Sequence, residues 1–206
     1  RRCGTIRHWR RRDSAHLREA TIADARGRLR PAMPPAIRPL DRARDKAGVL
    51  AIDTGFQTDR VFELVASPRA LELVTRSLPA PITKRYAIDE VFAPWARWDT
   101  GWVADDGAIR GFATVAYEPW HARLVLWFLY IDPPARRQGL GRALLAAVEA
   151  HGRAVGASHV WLETSNVNVP GVAAYERLGY ALCGADTLYY GEYMPDETAI
   201  YLAKRL

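Results

Sequence analysis

Leu124-Val-Leu-Trp-Phe-Leu-Tyr-Ile131, then Asp132-Pro-Pro-Ala-Arg-Arg-Gln-Gly-Leu-Gly-Arg142, then Ala143-Leu-Leu-Ala-Ala-Val-Glu-Ala150. Eight apolar residues ending at Asp-Pro-Pro read as a buried strand. Beyond the turn, Leu140, Leu144, Leu145 and Val148 fall on one helical face. Between strand and helix, Arg136-x-x-Gly139-x-Gly141 sits where the first amides of a helix lack intrahelical acceptors and carry partial positive charge. Such a loop is suited to hold a phosphate, and two glycines let the ligand approach the backbone.

The spacing is not the GxxxxGK[ST] of nucleotide hydrolases, nor the dinucleotide GxGxxG. A glycine-containing turn beside a surface helix is the plainer alternative. Arg/Gln-x-x-Gly-x-Gly/Ala after such a strand resembles the pyrophosphate loop of the GCN5-related N-acetyltransferases (GNAT). The resemblance implies acetyl-CoA as cosubstrate, held by Arg136, Arg137, Gln138, Gly139, Leu140, Gly141 and Arg142.

At 206 residues, 49% apolar and 25% charged, the chain suits one soluble globular domain with an appendage. No uncharged apolar run reaches the roughly 18 residues of a membrane span. Cys3 and Cys183 give neither a disulfide framework nor a metal spacing, and no metal is expected. Cys183, beside Leu182, is expected to be a reduced core residue.

Residues 1–32 hold ten Arg against Asp13, Glu19 and Asp24, net +7, while residues 33–206 carry −1. The basic character therefore belongs to the leader and not to the domain. Without a long apolar stretch the leader is not a secretory signal. We read it as a disordered extension, or as sequence upstream of a true start at Met33, in preference to a nucleic-acid-binding arm. Residues 33–206 are the expected catalytic domain, in the cytoplasm, as a monomer or homodimer, without membrane or nucleic-acid partners.

Along the chain, Ala36–Leu40 reads as a strand, and Asp41 as the cap of a helix reaching Ile52. Val61–Val65 and Leu71–Thr75 read as strands, and 78–97 as a loop with a short helix near Ile88–Phe92. Gly101–Ala104 and Ile109–Tyr117 form a hairpin around Asp105-Asp-Gly107. His159–Thr164 is a strand, Val172–Leu178 a helix stopped by Gly179, and Tyr180–Cys183 and Ala199–Leu202 closing strands. The expected class is mixed α/β (α+β) with a largely antiparallel sheet flanked by helices, an order that again resembles the GNAT fold. That resemblance implies splayed central strands holding CoA, with backbone contacts near Leu129, Tyr130 and Ile131.

Asn168, Gly171, Tyr175, Gly179 and Tyr180 match the family's Asn-x-x-Ala-x-x-x-Tyr-x-x-x-Gly-Phe, with Gly for Ala and Tyr for Phe. Asn168 can hydrogen-bond the amide arm of CoA. Tyr175 can protonate the leaving thiolate as general acid; its alternative role is core packing. Glu163, from the strand beside Tyr175, can take the amine's proton directly or through water, or be a partnered carboxylate on a sheet face.

Gly55–Phe62, Leu73–Ser77, Trp161–Pro170, Tyr180–Asp186 and Glu197–Tyr201 are similar to the streptothricin acetyltransferases, a resemblance covering roughly residues 36–204. It implies N-acetylation of a primary amine of a small molecule, a streptothricin-class antibiotic among the candidates. The alternatives are a CoA-binding protein without transfer activity and a protein or peptide N-acetyltransferase. This chain departs from the family at Trp127, Phe128 and Tyr130, where carboxylates are expected, and keeps only Asp89 and Glu90 before the meander. Strict alternation would put Trp127 and Leu129 on one face and Phe128 and Tyr130 on the other.

Overall fold

The computed structural model describes residues 35–206 and, in backbone alone, the strands β1 (Thr21–Ala23) and β2 (Leu29–Pro31), which pair antiparallel. These strands belong to a separate unit, Arg1–Pro34. Apart from them, the leader discussed above lies outside the described residues.

In the second unit the elements run β3 (Ala36–Pro39), α1 (Lys46–Leu50), β4 (Phe56–Ser67), β5 (Ala70–Lys84), β6 (Thr100–Asp105), β7 (Ile109–Glu118), β8 (Arg123–Ile131), α2 (Leu140–Ala154), β9 (His159–Ser165), α3 (Val169–Arg177), β10 (Ala181–Asp186) and β11 (Ala199–Arg205). Seven strands form one sheet in the order β10-β11-β9-β8-β7-β6-β3. Every pairing in it is antiparallel except β8 with β9. A parallel neighbour requires a crossover, and α2 supplies it. The buried stripe of α2, Leu140, Leu144, Leu145 and Val148, packs into the larger core with Leu124, Leu126, Val160 and Leu162. A second core, built on Val49, Val91, Trp98, Val103 and Phe112, joins α1 and the 3₁₀ turn Ile88–Phe92 to the sheet.

Several sequence expectations change. Asp41 does not cap a helix to Ile52: its Oδ1 accepts from the amides of Ala43 and Arg44 in a turn, and α1 covers only Lys46–Leu50. The β4–β5 ribbon is longer than its apolar cores suggested and takes in residues 78–84, read above as loop. Pro79 and Pro81 are accommodated because the ladder breaks between Ser77 and Ile82, opposite Asp59, where their missing amides cost no ladder bond. Cys183 is a free thiol but exposed, because β10 is an edge strand.

Alternation on β8 also fails. Phe128 faces Thr114 and Leu126 faces Val115, which leaves Trp127 as an extra residue in a bulge. Trp127, Phe128 and Tyr130 consequently all pack toward the second core, while Leu129 and Ile131 pack toward the first.

Candidate active site

The β8–β9 pairing lasts only from Arg123↔His159 to Leu126↔Leu162. Each strand continues beyond that point bonded on its outer side alone, Phe128–Ile131 to β7 and Glu163–Ser165 to β11. The facing edges therefore open into a gap with the bulged Trp127 at its apex. Leu129, Tyr130 and Ile131 lie along this unpaired edge. The Ile131 carbonyl is already taken by Arg136 Nε at 2.9 Å.

The turn leading to α2 presents a cradle. Gly139, the residue before the helix, has φ +85° and Arg137 has φ +63°, both left-handed. A Cβ placed on Gly139 or Gly141 would meet no protein atom within 4 Å. The first α2 amides thus border open space, with the exposed Arg137 and Arg142 beside them. Arg136 points elsewhere, its guanidinium tying Ile131 O to Asp53 O. Gln138 bonds back to Pro134 O at 3.0 Å. Both side chains shape the loop, and the backbone is what faces the cradle. Open space and unpaired amides fit a pyrophosphate.

Asn168 is the N-cap of α3: its Oδ1 accepts from Gly171 N at 3.1 Å and its Nδ2 donates to Thr164 Oγ1 at 2.9 Å. These bonds fix where α3 leaves β9, and thereby the position of Tyr175 two turns on. The ring of Tyr175 packs edge to face on Tyr180. Burial, and then the charge of Glu163, raises the Tyr175 phenol above its ordinary range, so it is protonated at neutral pH.

Glu163 is the centre of a polar group assembled from separate segments. Tyr190, from the β10–β11 connection, donates its hydroxyl to Glu163 Oε1. Burial raises the Glu163 carboxyl, the Tyr190 bond lowers it, and the charge of Glu197 raises it again, with a net upward direction. Glu197 pairs with Lys84 and accepts from Ser165 Oγ. The Tyr86 hydroxyl is buried without a hydrogen-bond partner among the described residues. Its ring lies 6.4 Å from that of Tyr130. Burial raises Tyr130, with further increments from Tyr86, Tyr175, Glu90 and Glu163.

Carboxylates therefore do collect around the aromatic strand, although none lies on it: Glu90, Glu163 and Glu197 arrive from three places. Sequence reasoning missed Lys84, Tyr86, Tyr190 and Glu197 because each comes from a loop or strand end with no motif of its own. The repeated tyrosines at 189, 190 and 193 were the one available signal. A separate open cavity of about 670 Å³ lies by the β10 edge, lined by His159, Leu182, Cys183, Lys204 and Arg205 among others. It contains none of the residues of the β8–β9 gap, and we place no chemistry there.

Comparison with known proteins gives a consistent picture. A profile of the acetyltransferase (GNAT) family matches residues 68–180. A streptothricin acetyltransferase of Streptomyces lavendulae is 35% identical over 173 residues, covering 79% of this chain and 90% of that protein. The crystal structure of a nourseothricin acetyltransferase superposes with a TM-score of 0.72 at 34% identity, covering 82% of this chain and 98% of the other. A candidate streptothricin acetyltransferase from Bacillus anthracis str. Ames, in complex with acetyl coenzyme A, has the same fold, with a TM-score of 0.71 at 24% identity, covering 85% and 99%.

Proposed function

This chain belongs to the GNAT acetyltransferase family, and from that membership we propose that it N-acetylates a primary amine of a small cationic molecule of the streptothricin class, conferring resistance. The activity resides in residues 33–206. The observation that carries the reading is the gap opening at Leu126/Leu162, with the Gly139–Gly141 cradle beside it and Tyr175 and Glu163 on the β9 side. Acetyl-CoA, when bound, supplies an acetyl group already activated as a thioester. The amides of Gly139 to Arg142, with Arg137 and Arg142, would hold its pyrophosphate, and the edge of Leu129–Ile131 unpaired by β9, apart from the Ile131 carbonyl that Arg136 occupies, would hold the pantetheine arm.

Glu163 takes a proton from the acceptor ammonium, which makes the nitrogen lone pair available. As the new C–N bond forms and the C–S bond breaks, Tyr175 gives its phenolic proton to the departing sulfur, and the second N–H proton, shed by the acylated nitrogen, returns the phenolate to phenol. Alignment contributes most of the remaining rate, because two reactants are held together in a site closed by tyrosine rings. Glu90, Glu163 and the ring faces of Tyr86 and Tyr130 favour a cation at the acceptor side.

The experiment is thiol release from acetyl-CoA with streptothricin, spermidine or a lysine peptide as acceptor. Release with streptothricin alone supports the antibiotic substrate. Release with the peptide would move the assignment to protein acetylation, and tight CoA binding without release to a binding protein.

A further inference from the structure

The connection between β10 and β11, residues 187–198, is anchored across the acceptor side of the gap. Asp186 Oδ1 accepts from Leu188 N at 2.8 Å, Gly191 N bonds Leu188 O at 3.1 Å, and Tyr193 N bonds Tyr190 O at 3.1 Å. Farther on, Tyr193 reaches Glu90 Oε1 at 3.4 Å, Lys84 contacts Met194 Sδ at 3.3 Å and pairs with Glu197, and Thr198 N bonds Asn166 Oδ1 at 2.9 Å. The loop is thus tied to the β4–β5 ribbon, to the Ile88–Phe92 turn and to the end of β9. Toward Glu163 it delivers the Tyr190 hydroxyl, which donates to Oε1.

Resting on the reading of Glu163 as the base, we propose that Tyr190 is a positioning residue for it: by holding Oε1, Tyr190 fixes the carboxylate's rotation and leaves Oε2 as the oxygen that receives the acceptor's proton. Glu163 needs such a partner. Tyr175 from α3, Tyr130 from β8, Tyr86 after β5, Tyr189 from the connection and Tyr201 from β11 feel its charge, and Glu197 acts on it as a like charge. Among the described residues no cation acts on it directly, and Lys84 pairs with Glu197 instead. Among the described residues Tyr190 is the one side chain that donates to it, and a rotatable carboxylate in a partly dry site otherwise has no fixed direction. In the proton step an ammonium N–H bond breaks, Glu163 Oε2–H forms, and Tyr190 keeps its own proton. Substrate contact is reserved for Glu163; Tyr190 acts through it.

The test is a ¹³C NMR titration of the glutamate carboxyls in the full chain, with the Glu163 signal identified by its loss in E163Q. In Tyr190→Phe the Glu163 midpoint moves upward, because a donor to the ionised form is gone. An unchanged or lower midpoint overturns the proposal. A second measurement needs no variant of Tyr190: its hydroxyl proton in the wild-type chain should be protected from exchange and should shift with the same midpoint as Glu163. An exchange-labile proton that ignores the Glu163 titration overturns it equally. The base assignment is read separately, from kcat/KM against pH in E163Q with streptothricin as acceptor. An acidic limb that survives there sinks the role of Glu163, whereas a failed NMR titration sinks only that of Tyr190.

Discussion

The rings of Tyr175 and Tyr180 meet edge to face, with centroids 5.7 Å apart and planes inclined at 62°. Tyr175 therefore has two separable parts, a ring that packs into the larger core and a hydroxyl that carries the proposed chemistry. Tyr175→Phe keeps the first and removes the second. We expect thermal stability within about 1 kcal/mol of wild type and KM for acetyl-CoA nearly unchanged. We expect kcat to fall by about a hundredfold or more. Steady-state thiol release together with thermal unfolding separates the two parts.

Glu163 should impose an acidic limb on kcat/KM. Its carboxyl is raised by burial, so activity is lost as pH falls through a midpoint above the ordinary carboxylate range. In Glu163→Gln that limb disappears and activity is low at every pH. A pH–rate series on both proteins checks this.

Gly141 tests the cradle with little cost to the fold. A side chain there meets no protein atom within 4 Å of its Cβ, and leucine is a better helix former than glycine by about 0.5–1 kcal/mol. Gly141→Leu should leave the melting temperature unchanged or slightly higher, while acetyl-CoA binds about tenfold more weakly or worse, a loss of about 1.4 kcal/mol. Calorimetry on the variant reads the affinity.

Away from the site, Arg38 grips Asp45 through two bonds of 2.6 and 2.9 Å and reaches Asp105 at 2.6 Å. Asp45 is only 3% exposed. Removing its partner by Arg38→Met should cost about 3 kcal/mol, because a buried carboxylate is left with weaker company. The Arg38 hydrogen bond holds Asp45 below the ordinary carboxylate range. A depressed folded-state pKa gives stability that is present above the unfolded value, near 3.8, and lost as pH falls toward the folded one. Asp45→Asn should flatten this acid-side loss in denaturant unfolding followed between pH 6 and 2, a window of about four units.

Much of the fold was legible because its signals are local. The Ile88–Phe92 turn, the hairpin around Asp105-Asp-Gly107, β8 and the stripe of α2 each follow from periodicity or turn chemistry within a few residues. The errors fell where a neighbour decided the outcome. Pro79 and Pro81 argued against a strand until the ladder break opposite Asp59 gave them room. Trp127 followed alternation until the β7 register forced a bulge. The apolar neighbours of Cys183 point to an interior position, but strand order puts β10 at the edge and the thiol is exposed.

By itself the sequence determined the strand–loop–helix with Gly139 and Gly141, the Asn168–Tyr175 spacing, and through them the acetyltransferase family. These are contiguous patterns, since a helix terminus and the positions two turns along it are set by residues near in the chain. Only the tertiary structure decided how Glu163 is surrounded. Lys84, Tyr86, Glu90, Tyr190 and Glu197 are scattered over more than a hundred positions and meet because strand register and the anchored β10–β11 connection bring them together. Charge and hydrogen bonding act through space, so the groups that tune the site leave no trace in local spacing.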